Sequence, residues 1–209
     1  MKILFLYSNK KAILLADWLE HKGNEVIRWT DKIDLDWLQR EEIELIVSFT
    51  YRYLISNEII SSVNGNAVNI HISYLPWNRG SNPNQWSFID DTPKGVSIHY
   101  MTTKLDEGDI IAQKMVFFDE ADTLATSYDK LSIEAIYLFK EIFKVYPFWN
   151  EMRKKVLGKG SYHTIADYKK YMEHYIDTDK ENYNITIAQF KNLIAVEKGY
   201  EKSTHHKYP

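Results

Sequence analysis

Four short apolar runs, each separated from the next by a helix-like segment, leave this chain very few architectures. Lys2 to Tyr7 (KILFLY) is a nearly continuous apolar stretch, the pattern of a strand covered on both faces. Asn9 to Lys22 carries Ile13, Leu14, Trp18 and Leu19 on one side at helical spacing, and Gly23 is placed to end that helix. Asn24 to Thr30 alternates as a strand, Leu35 to Arg40 reads as a short helix, and Glu42 to Thr50 supplies a third strand. Ser56 to Val63 is a further helix and Ala67 to Ile72 a fourth strand. Alternation with short connections predicts an α/β fold, an open and mostly parallel sheet flanked by helices. Ligands on such sheets bind beyond the carboxyl ends of the strands. Ser8-Asn9-Lys10 follows the first strand where a Gly-rich fingerprint would stand, so no dinucleotide cradle is expected.

The pattern changes after Gly95. Gly95 to Thr102 and Asp109 to Phe118 read as two strands joined by the polar turn Lys104 to Gly108. A long amphipathic helix follows, roughly Thr123 to Tyr146, capped by Thr123 or Asp122 and burying Leu131, Ile136, Leu138, Phe139, Ile142 and Phe143. Composition shifts near Leu157-Gly158-Lys159-Gly160; the remainder is polar, rich in Tyr and Lys, with weak helical segments at Ala166 to Tyr175 and Thr186 to Val196. The expected division is a domain over 1–150 and a small C-terminal appendage over 151–209, packed on the first or on a partner subunit.

Charge and composition narrow the partners. With 26 Lys and Arg against 29 Asp and Glu, the chain lacks the basic excess of a phosphate footprint, so nucleic acid is not an expected partner. The absence of cysteine excludes disulfides, thiolate zinc sites and Cys nucleophiles. No apolar run approaches the roughly 20 residues of a membrane span. The start MKILFLYSNKK has no secretory pattern, and a cytoplasmic protein is expected. Of the 15 Tyr, 9 Phe and 6 Trp, most are expected in cores and a few as stacking platforms.

The chemistry concentrates in Val68 to Arg79, VNIHISYLPWNR. On a strand Asn69, His71 and Ser73 share one face and Ile70 and Ile72 the other. Polar side chains there are costly unless satisfied or used. Leu75-Pro76 stops the ladder and is a candidate cis bond. A lone His at a strand end is more often a hydrogen-bonded surface residue than a catalyst. The turn Leu105-Asp106-Glu107-Gly108-Asp109 shifts the balance, because strand pairing can bring Asp106 to the same rim, where it would orient an imidazole. A solvated acidic turn is the alternative for Asp106. The Asn69 amide donors suit a developing oxyanion.

Asn-x-His-x-Ser-x-Leu-Pro, followed by Gly-Val-Ser-Ile-His and then Leu-Asp-x-Gly-Asp-Ile-Ile-Ala-Gln, resembles the formyltransferases that use N10-formyltetrahydrofolate, over roughly residues 1–145. The resemblance implies a Rossmann-like fold, Asn69, His71 and Asp106 as the active site, N10-formyltetrahydrofolate as co-substrate and no metal. Ser48 to Ile55, Leu75 to Asn84 and Gly160 to His163 are similar to the nucleotide-sugar N-formyltransferase branch. The Gly-rich phosphate loop of the glycinamide ribonucleotide transformylases is missing, and too little chain follows residue 150 for the basic C-terminal domain of methionyl-tRNA formyltransferases. The acceptor implied is a nucleotide-linked amino sugar, such as dTDP-4-amino-4,6-dideoxyglucose or a 3-amino isomer, destined for surface polysaccharide such as lipopolysaccharide O-antigen. A homodimer is implied by analogy.

By the same resemblance, Phe49, Tyr51, Tyr53, Ile55 and Asp109 are the folate-binding candidates, with core packing as the alternative for Phe49, Tyr53 and Ile55. Trp77, Asn78, Arg79, Asn84, Trp86 and Tyr162 are the substrate-binding candidates. Arg79 is either a fork for a pyrophosphate or a surface arginine in a long loop. Tyr162 and His163 either stack on a base or pack the appendage onto the core. His99 is read as structural, and His205 and His206 as a solvated tail. His71 is open between general base and oxyanion stabiliser. The rival activities are hydrolysis of formyltetrahydrofolate and non-catalytic binding of a nucleotide sugar.

Overall fold

A computed structural model describes residues 1–175 and 183–204. A six-stranded sheet runs in the order β2-β1-β3-β4-β6-β7. Its strands are β1 (Lys2–Tyr7), β2 (Glu25–Trp29), β3 (Leu45–Phe49), β4 (Ala67–His71), β6 (Gly95–Tyr100) and β7 (Ile110–Met115). β2, β1, β3 and β4 are parallel, whereas β4–β6 and β6–β7 are antiparallel. The mostly parallel α/β sheet expected from the sequence is therefore the one observed.

The helices follow the strands as the alternation requires. They are α1 (Ile13–His21), α2 (Leu35–Arg40), α3 (Asn57–Ser62) and α5 (Leu124–Phe143). Asp34 caps α2 on the Trp37 N–H and Ser56 caps α3 on the Ile59 N–H. Thr123 and Thr126 exchange both bonds of a capping box at α5. Alternate residues of β1 divide between two cores. Ile3 and Phe5 join Leu15, Leu131 and Phe139 on the α1/α5 face; Leu4 and Leu6 join Leu38, Ile59 and Ile60 on the α2/α3 face. One phase is corrected here. The buried stripe at the start of α1 is Ala12, Leu15, Ala16 and Leu19, and Leu14 faces solvent.

Four elements were not expected. A two-residue strand β5 (Arg79–Gly80) pairs in parallel with β8 (Tyr162–His163). Between β5 and β6 lies α4 (Pro83–Ile89), every residue of which is buried. A short α6 (Trp149–Met152) precedes the polar tail, which forms α7 (Ile165–Tyr175) and α8 (Ile187–Thr204). Trp86, Phe88 and Ile89 of α4 pack with Leu124 against Tyr168, Ile187, Phe190 and Ile194, a third apolar cluster that fastens the tail to the main body. Among the described residues no helix is long and apolar enough to cross a membrane. His205 and His206 lie outside the described residues.

Candidate active site

The antiparallel pairing of β4 with β6 sets Asn69 directly across from His99, and His71 across from Ser97. The turn after β6 then delivers a carboxylate to them. Asp106 adopts a left-handed backbone, φ 53°, and is 6% exposed. Its Oδ1 accepts from Asn69 Nδ2 at 3.2 Å and stands 3.4 Å from His99 Nε2. Its Oδ2 accepts the Gly80 N–H at 2.8 Å and stands 3.7 Å from His71 Nδ1. The structure thus brings Asn69, His71 and Asp106 together, and adds His99 and the Gly80 peptide. His99 was legible in one way: antiparallel pairing of the two motif strands opposes it to Asn69.

His71 Nε2 lies 3.0 Å from the Asn78 carbonyl and its Nδ1 faces Asp106, so both ring nitrogens meet acceptors. The Nε2 distance is that of a hydrogen bond, whereas the 3.7 Å from Nδ1 to Asp106 Oδ2 is that of an ion-pair contact. His99 Nδ1 lies 2.9 Å from the Tyr100 carbonyl, and its Nε2 lies 3.3 Å from Asn69 Nδ2 and 3.4 Å from Asp106 Oδ1. The Asn69 amide nitrogen donates to Asp106 and faces His99. The expectation that this amide holds an oxyanion meets a geometry in which its donors point inward. Burial pushes the Asp106 carboxyl up, but the charge of His71, the hydrogen bond and charge of His99 and the Gly80 N–H outweigh it. The carboxyl is held well below the usual carboxylate range.

This cluster forms the floor of a cavity of about 1010 Å³. The loop Phe49 to Ile55, Tyr128 and the Tyr162 to Ala166 segment line it. Thr50, a β-branched residue at φ 65°, accepts from the Ser8 and Asn9 N–H groups at 3.3 and 3.1 Å, which ties the loop to the end of β1. Asn9 Nδ2 in turn donates to the Tyr128 hydroxyl at 3.1 Å. Asn9, Thr50 and Tyr128 line the cavity; Thr50 stands in the Ser48 to Ile55 segment already singled out, whereas Asn9 and Tyr128 had no motif to announce them. Among the described residues no His, Asp or Glu side chains are grouped as a metal site.

The sequence matches the formyl transferase family over residues 16–141. The chain belongs to that family. It is similar to the formyltransferase PseJ of Anoxybacillus kamchatkensis, whose crystal structure is in complex with UDP-4,6-dideoxy-4-formamido-L-AltNAc and tetrahydrofolate. The two are 36% identical with a TM-score of 0.79, over 91% of this chain and 99% of that one. A 4-N formyltransferase from Francisella tularensis is 25% identical with a TM-score of 0.73, over 92% and 85% of the two chains. A methionyl-tRNA formyltransferase from Listeria welshimeri is 39% identical over 100 residues, 47% of this chain and 32% of the relative. The chain thus spans about a third of the length of the curated relatives it matches.

Within this formyl transferase the remaining candidate residues separate clearly. Phe49, Tyr51, Tyr53 and Ile55 line the cavity, although Phe49 and Ile55 are buried and serve the core as well. Tyr162 lines it and is half exposed. Asn84 touches it, but its amide donates to the Leu124 carbonyl at 3.1 Å and to Ser127 Oγ at 3.0 Å, joining α4 to α5. Trp77, Asn78, Arg79, Trp86 and Asp109 do not line the cavity. In the turn after β4, Asn78 and Arg79 are engaged by other parts of the chain. Asn78 is wholly buried in the turn, and Arg79 pairs with Glu107 while donating to the Lys159 carbonyl at 3.3 Å. Trp86 stacks on His163 with ring centroids 3.8 Å apart, and Asp109 pairs with Arg153 Nε at 3.2 Å. The Leu75–Pro76 bond is cis.

Tyr51 offers a pH test of the Phe49 to Ile55 side of the cavity. Its hydroxyl donates to the Asp31 carbonyl. Burial, followed by the charges of Tyr53 and Asp31 and against that of Arg52, pushes the phenol from 10.0 up to about 12. A raised value means stability that is intact below pH 10 and lost as pH rises from 10 to about 12. Ultraviolet titration of wild type minus Tyr51→Phe should isolate one phenol with its midpoint near 12. A difference step near the ordinary value of 10.0 would contradict the packing described.

Proposed function

We propose that the protein transfers a formyl group from N10-formyltetrahydrofolate to the amine of a nucleotide-linked amino sugar. The observation that carries this reading is the Asp106 carboxylate holding Asn69, His71 and His99 together on the floor of one large cavity. At about 1010 Å³ the space is at the top of the roughly 300–1,000 Å³ typical of small-molecule sites, as two ligands side by side require. Phe49, Tyr53 and Ile55 give one wall the apolar and aromatic surface that suits a pterin.

Holding both substrates across this floor supplies proximity. The unprotonated sugar amine attacks the formyl carbon; a carbon–nitrogen bond forms, and the carbonyl oxygen takes up negative charge. His71, protonated between Asp106 and the Asn78 carbonyl, places a positive charge beside that oxygen. Asp106 keeps the ring charged and oriented, and His99 and Asn69 hold Asp106. As the bond to N10 breaks, the proton from the amine passes to N10 through the His71–Asp106 pair or a water beside it.

The acceptor proposed is a nucleoside-diphosphate-linked 4-amino-4,6-dideoxy sugar. Similarity to PseJ over nearly the whole of both chains supports that class. The same reading carries with it the cytoplasmic location and the homodimer expected from the sequence. The test is a panel of UDP- and dTDP-linked 3-amino and 4-amino sugars incubated with the formyl donor and followed by mass. The expected result is an N-formyl product, with equimolar tetrahydrofolate, from a 4-amino member. Tetrahydrofolate released equally without any amine would instead identify a hydrolase, and no release in any arm would end the proposal.

A further inference from the structure

The site is closed from behind by residues far along the chain. Asn78 is 0% exposed and sits in a left-handed conformation, φ 54°. Its side-chain amide donates to Thr92 Oγ1 at 2.8 Å and to Ser73 Oγ at 3.3 Å. Its carbonyl is the oxygen 3.0 Å from His71 Nε2. The remaining polar groups of Asn78 are both met by one hydroxyl. Ser161 Oγ accepts the Asn78 N–H at 2.8 Å and donates to Asn78 Oδ1 at 3.2 Å.

Ser161 is itself held in place on both sides. Its N–H donates to the Pro76 carbonyl at 3.2 Å and its carbonyl accepts the Arg79 N–H at 3.0 Å, which begins the β5–β8 ladder. Gly160, at φ 59°, lets the chains come this close, since a Cβ there would lie 1.9 Å from the Pro76 carbonyl oxygen. The ladder also fixes Gly80, whose N–H holds Asp106. Ser161 does not line the cavity, so any effect it has on the reaction passes through its neighbours.

We propose that Ser161 is a positioning residue for His71: by locking Asn78 it fixes the carbonyl that takes the Nε2 proton, and so turns Nδ1 toward Asp106. An Asn in a strained backbone keeps one orientation only while its surroundings over-determine it. Without the hydroxyl, the Asn78 N–H and Oδ1 are left buried without this partner, and the peptide carrying the His71 acceptor is held only through its Arg79 N–H bond to the Ser161 carbonyl. The inference rests on the assignment of His71 to formyl transfer.

The experiment compares wild type with Ser161→Ala, Ser161→Thr and Ser161→Cys by two independent readouts. The first is turnover as a function of pH with the formyl donor and the acceptor found by the panel. The second is the nitrogen NMR signals of the His71 ring in the free protein. For Ser161→Ala we expect kcat to fall roughly ten- to a hundredfold with KM changed by less than about twofold, a moved pH profile, and an Nε2 signal no longer that of a single hydrogen-bonded N–H. Ser161→Thr should restore all three. Unchanged His71 signals in Ser161→Ala overturn the proposal, whether or not turnover falls, because the loss would then be structural. Altered ring signals in a protein that transfers no formyl group would uphold the positioning and remove the reaction assignment instead. Should Ser161→Ala not fold, Ser161→Cys, with its weak S–H donor, is read by the same two measurements and decides in the same way.

Discussion

Asp106→Asn should abolish most turnover, lowering kcat on the order of a thousandfold, while leaving a folded protein. The substitution keeps the shape of the side chain and removes its charge. In the native site Asp106 Oδ2 accepts the Gly80 N–H and Oδ1 accepts from Asn69. An Asn offers one acceptor and one donor, so its amide must face either the Gly80 N–H or the Asn69 amide, donor against donor. That mismatch costs about 1–3 kcal/mol. The larger consequence is for His71, which loses the carboxylate 3.7 Å from Nδ1 that makes a charged ring favourable. The pH dependence of stability should change as well. Because the Asp106 carboxyl is held below its ordinary 3.8, its contribution is present above that pH and lost as pH falls through the lower, folded value. Thermal unfolding from pH 5 to pH 2 should therefore show a shallower acid limb in Asp106→Asn than in wild type. Wild-type-like kcat in the variant would remove Asp106 from the reaction.

The legibility of this site followed the range of the interactions that build it. KILFLY and the runs of β3 and β4 declared their strands because burial on both faces writes itself locally into a strand, and the edge strand β2 showed instead as alternation. Period-two alternation set Asn69 and His71 on one face, and the short polar turn announced Asp106. By contrast, α4 looked like loop because its seven residues are buried all round, by partners such as Tyr168 and Phe190 near the other end of the chain. No periodicity survives when every face is covered. The two-residue ladder of β5 with β8 was too short to leave a pattern at all. Candidates chosen for closeness along the chain fared accordingly: Asn78, Arg79 and Trp86 follow the motif strand in sequence, yet the fold spends them on bracing the loop. The same fold recruits Asn9 and Tyr128, 119 residues apart, to the cavity wall.

Gly108→Ala should do nearly as much damage as removing the carboxylate, through the backbone alone. A Cβ on Gly108 would lie 1.7 Å from the Tyr100 carbonyl oxygen and 2.7 Å from its carbon. Both are backbone atoms, so no side-chain rotation relieves the overlap. Nor can the end of β6 retreat. Met101 N–H is bound to the Ala67 carbonyl at 2.8 Å, the Tyr100 hydroxyl donates to Asn150 Oδ1 at 3.0 Å, and the Arg153 guanidinium lies 4.2 Å from the centre of the Tyr100 ring. The turn must therefore move, and Asp106 is two residues upstream within it. Even a displacement of about 1 Å at such a site can cost on the order of a hundredfold in rate. The overpacking itself should lower stability by about 1–3 kcal/mol. Glu107→Ala in the same turn is the control. Its carboxylate pairs with Arg79 and Lys104 at the surface, where such pairs are worth about 0–1 kcal/mol, and turnover should stay within a few-fold of wild type. Measured well below the unfolding temperature, Gly108→Ala is expected to lose about a hundredfold or more in kcat. Wild-type turnover from folded Gly108→Ala would mean that the turn tolerates displacement, and that Asp106 need not be held where the structure holds it.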